Sequence, residues 1–157
     1  MEQITVHTRR RKTWRRKPTL VALSCGEDIL ARYRELSFRE REHLTQAGFT
    51  KNQLVSLKNT MGIDYDTLAE LLAVTTRCLY LKKGNDLFSP NTSDRIASIL
   101  ELYCDGLDIF ASVAEFNTWL TTPQVPLHNR RPLDVAKTHP GLLKIRERMF
   151  RERIARL

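Results

Sequence analysis

Apolar residues recur along most of the chain at helical spacing. Leu68, Leu71 and Leu72 fall on one side of a helical turn, and Ile96, Ile99 and Leu100 repeat the pattern. Apolar positions at i, i+3 and i+4 are typical of an amphipathic α-helix. Strand-like alternation is rare, and only 6 of the 157 residues are glycine. The pattern therefore predicts an all-α chain, with an N-terminal helical region followed by a small second helical domain.

The segment after the N-terminus alternates apolar and charged residues over positions 27–46. This pattern predicts one or two amphipathic helices, whose position would also allow dimerisation. The apolar residues of the segment are Ile29, Leu30, Tyr33, Leu36, Phe38 and Leu44.

Residues 66–83 have the pattern of a helix-turn-helix unit, which we place at about 65–83. Val74 and Thr75 form a short break, and Thr75 or Thr76 can cap the second helix by accepting a backbone N–H bond. Two helices joined by so tight a turn suit the major groove of DNA. On the second helix Cys78, Leu79 and Leu81 are expected to face inward. The remaining polar and aromatic side chains are candidates for DNA contact, with Arg77 first for reading bases: Thr76, Arg77, Tyr80, Lys82 and Lys83. A purely structural helical pair is the alternative.

Residues 116–135 contain aromatic anchors, three prolines and paired arginines. Phe116, Trp119 and Leu120 are predicted to end a helix whose earlier apolar positions are Ile109, Phe110 and Val113. The prolines forbid a continuous helix beyond Leu120, so a stiff, mostly extended loop is expected until Leu133 and Val135 rejoin a core. Such a segment suits contact with another protein. It could equally cap a small helical core.

The chain ends in a predicted amphipathic helix entered at His139-Pro140-Gly141. Its apolar face would consist of Leu142, Ile145, Met149, Phe150, Ile154 and Leu157. The opposite face is strongly cationic, and Arg153, Arg156 or the carboxylate of Leu157 could reach an anionic cleft on a partner. A plain packing helix is the alternative.

The net charge of +8 is concentrated at the two ends of the chain. Residues 1–20 combine seven cationic side chains with one glutamate and have no apolar period, so a flexible arm is expected. Such an arm could follow DNA phosphates or enter a minor groove, or serve only as a solubilising tail. Its DNA-binding candidates are Arg9, Arg10, Arg11, Arg15 and Arg16.

Several classes of function are disfavoured by composition. The cysteines Cys25, Cys78 and Cys104 are odd in number and widely spaced, so each is expected to be a buried thiol in a reducing compartment. The four histidines lack ligand spacing, and no metal or cofactor is predicted. No nucleophile with a matching base and anion hole can be assembled, so an enzyme is not expected. A membrane-spanning segment and a secretory signal are also not predicted.

Three motifs resemble those of the Xre/MbcA/ParS antitoxins. In that family a Trp-Leu-x-x-Pro run precedes Leu-Gly-Gly-Arg-x-Pro-Leu. The matching residues here are Trp119, Leu120, Pro123, Leu127, Arg130, Pro132 and Leu133. His128 and Asn129 stand in place of the two glycines, and Asn tolerates a left-handed backbone better than most residues. The helix-turn-helix pattern agrees at Val74, Arg77, Leu79 and Lys82, and residues 87–100 resemble the family's Leu-Ser-Pro-x-x-Ser-Asp-Arg linker, with Asn91 to Ser93 as helix caps.

The resemblance implies a bacterial type II antitoxin. Such a protein would occlude a cognate RES-domain toxin that consumes NAD, repress its own operon as a homodimer bound to operator DNA, and reside in the cytoplasm, at the nucleoid when bound to its operator. Together with the basic arm at 1–20, it predicts a DNA-binding and dimerisation domain at 21–90 and a toxin-binding domain at 91–157. The expected toxin contacts are Trp119, Leu120, Leu127, Arg130, Arg131, Arg153, Arg156 and Leu157.

Two other classes of protein stay open from the sequence. One is a stand-alone helix-turn-helix repressor of phage-repressor type, whose C-terminal half serves only oligomerisation. The other is an RNA-binding protein driven by the arginine-rich arm, which would need no function of the helix-turn-helix.

Overall fold

The computed structural model describes residues 28–157, and the elements in that range are helices and turns. The basic arm and Cys25 lie outside the described residues. The all-α prediction is confirmed, with two isolated β-bridges as the extended pairings found within 28–157. The helices are α1 Ile29–Glu35, α2 Phe38–Ala47, α3 Lys51–Met61, α4 Tyr65–Leu72, α5 Thr76–Leu81, α6 Pro90–Leu107, α7 Val113–Thr121, α8 Pro132–Val135 and α9 His139–Ala155, with a 3-10 turn at Val125–Leu127 between α7 and α8.

Side-chain caps fix where most of these helices begin. Ser37 and Thr50 form capping boxes with Glu40 and Gln53, so two backbone N–H groups at the start of α2 and two at the start of α3 are satisfied. Ser89 caps α6, with Pro90 as its first residue. The prediction that Asn91 to Ser93 would cap this helix is therefore wrong, because Pro90 has no N–H to lose and can itself occupy the first helical position.

The long helix α6 lies at the centre of the fold. It packs against α1, α2, α4, α7 and α9. Arg95 on α6 joins α4 to the segment between α8 and α9, since its Nη2 donates to the carbonyl oxygens of Leu71 and Lys137, each 2.7 Å away. The predicted boundary between residues 90 and 91 falls at the start of this shared helix. The division into domains stays a prediction.

The segment that precedes the prolines differs from the sequence prediction. Helix α7 begins at Val113, after the cap Ser112. Ile109 and Phe110 belong to the turn that follows α6, where their backbone N–H groups donate to the carbonyl oxygen of Gly106. The prediction of one helix through the apolar positions from Ile109 to Leu120 is therefore wrong. The chain turns between the end of α6 and the start of α7.

The proline segment also differs from expectation. It is compact, since it holds the 3-10 turn and α8, and a bridge closes it between Gln124 and Arg130. The prolines are compatible with this because Pro126 lies in the first turn of the 3-10 helix and Pro132 is the first residue of α8, where no N–H bond is required.

The last helix buries only part of its predicted apolar face. Leu142, Ile145 and Met149 are in the core, whereas Phe150, Ile154 and Leu157 are exposed. The prediction of one inward face is therefore wrong beyond Met149. Of the described cysteines, Cys104 is buried and Cys78 half-buried, and burial raises the pKa of the Cys104 thiol to about 11. Within residues 28–157 no helix has both the length and the apolar character needed to cross a bilayer.

Candidate functional site

An open groove of about 470 Å³ lies between α7, the 3-10 turn and α9. We call it the Trp119 groove. Its apolar part is contributed by α7 and the turn, and its charged part by α9 and the start of α7. The lining residues are Phe110, Glu115, Thr118, Trp119, Thr122, Gln124, Val125, Pro126, Arg148, Glu152 and Arg156.

An aromatic cluster forms the floor of this groove. Trp119 stacks on Phe116 with ring centroids 6.0 Å apart and an interplanar angle of 18°, and its ring lies 5.4 Å from that of Phe110. Phe116 is fully buried, whereas Trp119 is half-buried. The indole is thus held by the core on one side and faces the groove on the other, an arrangement that suits a rigid contact for a partner.

The turn after α7 presents an apolar side chain beside Trp119. Val125 is 80% exposed, while Leu127, two residues later, is anchored in the core. His128 and Asn129 then adopt left-handed backbone angles, with φ of 57° and 59°. The antitoxin motif has glycine at both of these positions. Glycine adopts left-handed backbone angles without steric cost, which explains why the motif uses it there.

Two ion pairs frame the groove. Arg148 Nη2 lies 2.8 Å from Glu152 Oε1, and Arg156 Nη1 lies 3.0 Å from Glu115 Oε1. The Arg156 guanidinium also lies 4.6 Å from the centroid of the Phe110 ring. The pKa of Glu115 is lowered, first by the bond its carboxylate accepts from the backbone N–H of Ala111 and then by Arg156. The carboxylate is therefore ionised at neutral pH and holds Arg156 at the end of the groove.

The predicted toxin-contact residues occupy different environments. Trp119 lies in the groove, but Leu120 and Leu127 are buried, so in this structure they support the surface instead of forming it. Arg130 is exposed on the turn. Arg131 is exposed and makes two bonds, of 2.6 and 2.9 Å, to the carboxylate of Asp134.

The three predicted contacts at the C-terminus also separate. Arg156 closes the groove, Arg153 is exposed on another side of α9, and Leu157 is fully exposed. The structure thus brings Trp119 and Arg156 together and leaves Arg153 away from them. The role of all these residues in toxin binding stays a prediction.

The sequence does not indicate several of the groove residues. Val125 and Pro126 fall in the loop predicted after Leu120, and Glu115 lies 41 positions before its partner Arg156. The i,i+4 spacing of Arg148 and Glu152 is a local signal that could have indicated their pairing.

Helices α4 and α5 pack together with the short connection expected of a helix-turn-helix. Ala73 ends α4 in a left-handed conformation, and Thr75 caps α5 by accepting from the backbone N–H of Cys78. Lys51 is buried nearby, and its Nζ donates to the carbonyl oxygen of Leu79 at 2.7 Å. This bond satisfies a carbonyl at the C-terminal end of α5 and fixes the helix against α3.

The predicted DNA contacts lie on α5 and on the two residues that follow it. Arg77, Tyr80 and Lys83 are exposed and Lys82 is half-buried, whereas the hydroxyl of Thr76 donates to Asp66 at 2.8 Å. The inward placement predicted for Leu81 is wrong, and Cys78 is only half-buried. The cause is the length of α5, which has six residues and places only Leu79 fully in the core.

In the part of the chain that the structure describes, no three His, Cys, Asp or Glu side chains are grouped so that they could hold a metal ion.

Comparison with protein families identifies the segment that contains the groove. Residues 106–153 match the antitoxin Xre/MbcA/ParS C-terminal toxin-binding domain. The matched range begins in the last turn of α6 and includes Trp119 and Val125, but it ends before Arg156. A search of curated proteins finds no match to the chain. Residues 106–153 are therefore a toxin-binding domain of the Xre/MbcA/ParS type, and the resemblance to this antitoxin family is confirmed.

Proposed function

We propose that the chain is an antitoxin whose toxin is a RES-domain protein that consumes NAD, and that it inhibits this toxin by covering the active site with the surface around the Trp119 groove. The match of residues 106–153 to a toxin-binding domain supports the antitoxin role. The observation that carries this proposal is the half-buried Trp119 beside an 80% exposed Val125 inside the matched domain.

The groove supports inhibition by steric blockade. Its aromatic floor is rigid, because Phe116 and Phe110 hold the indole from below. A partner that covers Trp119 and Val125 therefore orders few side chains of the antitoxin, which limits the entropy lost on binding. Inhibition of this kind needs no catalytic group on the antitoxin.

The second part of the proposal concerns DNA. The exposed Arg77 and Tyr80 on α5 and Lys83 just after it, together with the basic arm, would bind the chain's own operator and repress its operon. A homodimer would present two such helices to a symmetric operator with half-sites about one helical turn apart. A stand-alone repressor, with no toxin partner, is the competing function because the same α5 surface would serve it.

Co-expression of the full chain with a RES-domain protein encoded beside it tests the proposal. We expect a stable complex on affinity capture, and cellular NAD that stays near the level of cells without the toxin. The matched control is the same pair with Trp119→Ala in the antitoxin, whose folding is checked by thermal melting. Free toxin with falling NAD in the presence of wild-type antitoxin would contradict the proposed inhibition, and specific operator binding without any complex would favour the stand-alone repressor.

A further inference from the structure

The outward side of α5 carries an exposed leucine next to an exposed arginine. Leu81 is 66% exposed, and Arg77 is exposed four residues before it. At about 100° per residue, both lie about 160° around the helix from Leu79, which is fully buried. Residues four apart on a helix are neighbours. The part of α5 that lies farthest from the core therefore consists of one guanidinium and one apolar side chain, and we call these two residues the outward strip.

Contacts with α3 and α4 fix the direction in which the outward strip points. The ring of Tyr80 lies 5.0 Å from the ring of Tyr65 on α4, centroid to centroid. The centroid of the Tyr65 ring lies 4.4 Å from the Nζ of Lys51, and the same Nζ donates to the carbonyl oxygen of Leu79. One network thus holds α5 at both Leu79 and Tyr80. The rotation of the helix about its axis is set, and the outward strip is presented to solvent in a defined direction.

The charge around the outward strip favours a nucleic acid as its partner. Lys82 and Lys83 directly follow the strip, and within residues 28–157 no ion pair joins either lysine or Arg77 to a carboxylate. Asp66 and Asp86 accept hydrogen bonds from the start of α5 and from the backbone just after it, at 2.8 and 2.9 Å. Unpaired cations on both sides of the exposed leucine attract a polyanion and oppose contact with a purely apolar surface.

The chemistry of Leu81 restricts which base it can contact. A leucine side chain has neither a donor nor an acceptor, and the apolar group that base edges present in the major groove is the 5-methyl group of thymine. Against any other edge the leucine would displace water from polar groups without replacing their hydrogen bonds, which costs free energy. Four residues of helix span about 6 Å and base pairs are stacked about 3.4 Å apart, so the two side chains of the strip reach positions about two base pairs apart.

We propose that Leu81 packs on the 5-methyl group of a thymine in each operator half-site, about two base pairs from the base that Arg77 reads. The inference rests on the DNA-binding part of the proposed function and adds a second base to the expected half-site. Guanine is the base that arginine contacts most often in the major groove. The half-site is therefore expected to combine a guanine and a thymine at this spacing.

Single replacements of thymine by uracil in the operator test this, because uracil pairs as thymine does and lacks only the methyl group. The probe is the footprinted operator from the protein's own promoter, titrated with the full chain and followed by fluorescence anisotropy. Uracil at one position of a half-site should weaken wild-type binding by about fourfold, as expected when one methyl group is no longer buried. Leu81→Ala should bind the thymine and uracil operators with equal affinity.

Leu143→Ala is the matched control, since Leu143 is an exposed leucine on α9, and it should keep the fourfold difference. Thermal melting checks that both variants are folded. Wild-type promoter binding that no uracil replacement weakens, or a fourfold difference that survives in Leu81→Ala, would overturn the role of Leu81 while leaving DNA binding standing. Absence of specific promoter binding by the wild type would overturn both. If Leu81→Ala left binding to both operators unchanged but weakened toxin capture or dissociated an oligomer, the leucine would belong to a protein contact, and the inference would be wrong.

Discussion

The Arg156 guanidinium lies over the ring of Phe110, 4.6 Å from its centroid, although the two residues are 46 positions apart. The same guanidinium is bonded to Glu115 at 3.0 Å. The C-terminal end of α9 is thereby attached to the start of α7, and the Trp119 groove lies between the two. The groove is therefore a product of the folded chain end, because neither helix encloses it alone.

Replacement of Val125 by Glu should separate toxin binding from folding. Val125 is 80% exposed, so Val125→Glu is expected to leave the thermal midpoint unchanged. A charge beside Trp119 should cost about 2 kcal/mol or more of binding energy if the groove is the centre of the interface. Titration calorimetry against the co-expressed toxin measures this, with Tyr80→Glu as the control. Equal affinity of Val125→Glu and wild type would place the interface elsewhere.

Replacement of Arg77 by Ala tests the DNA-binding part of the proposal. We expect Arg77→Ala to cost about 1–3 kcal/mol on the protein's own promoter fragment and to reduce discrimination against unrelated DNA. The control is Arg39→Ala, an exposed arginine on α2. The readout is fluorescence anisotropy at several salt concentrations. An unchanged affinity with a steep salt dependence would instead attribute binding to the basic arm alone.

Replacement of Arg95 by Ala should destabilise the fold. Its guanidinium donates to the carbonyl oxygens of Leu71 and Lys137 and thereby joins α4 to the segment between α8 and α9. Arg95→Ala leaves both without this donor, and a loss of about 2–3 kcal/mol in the free energy of unfolding is expected. Arg95→Lys is the matched variant, and because an ammonium cannot reproduce the fork it should recover only part of the loss. Urea denaturation measures the stability of both variants. An Arg95→Ala variant as stable as the wild type would contradict a stabilising role for the two hydrogen bonds.

Glycine at position 128 should stabilise the protein. His128 has φ of 57°, where a side chain costs about 1–2 kcal/mol and glycine does not. After the greater chain entropy of unfolded glycine is subtracted, His128→Gly should raise the free energy of unfolding by about 0.5 kcal/mol. Pro126→Gly in the same turn is the control and should be destabilising, since glycine is more flexible than proline in the unfolded chain. A loss of stability in His128→Gly would show that the imidazole makes a compensating contact.

Stability should fall in mild acid. The pKa of Asp134 is lowered, chiefly by its bond to Arg131, and the pKa values of Glu115 and Glu147 are lowered by their own hydrogen-bond and ion-pair partners. A carboxylate with a folded pKa below its unfolded pKa stabilises the protein above the unfolded value, and this stability is lost as the pH falls through the folded value. The urea midpoint should therefore decrease from about pH 5 downward. Asp134→Asn should flatten this decrease, and a midpoint that rises in acid would contradict the prediction.

Much of the fold was predictable because it depends on local signals. The i, i+3, i+4 pattern of Leu68, Leu71 and Leu72 placed α4, and Thr75 acts as the expected cap of α5. The Trp-Leu-x-x-Pro run identified a toxin-binding domain that the family comparison confirms. Each of these signals lies within a few residues of sequence, where hydrogen bonding and side-chain spacing are determined by the chain itself.

Tertiary packing decided which apolar residues face outward. The apolar period predicts Phe150 and Ile154 on the buried face with Met149, yet both lie on a side of α9 that the other described elements leave exposed. The apolar spacing predicts Phe110 in the same helix as Phe116. In the structure the chain turns after α6, and the ring of Phe110 lies beneath the guanidinium of Arg156. A sequence period states which residues share a side of a helix, whereas the neighbouring elements determine whether that side is buried. The sequence by itself therefore determined most of the helices, the cap of α5 and the family of residues 106–153, whereas the long-range contacts decided the groove and the exposure of Phe150 and Ile154.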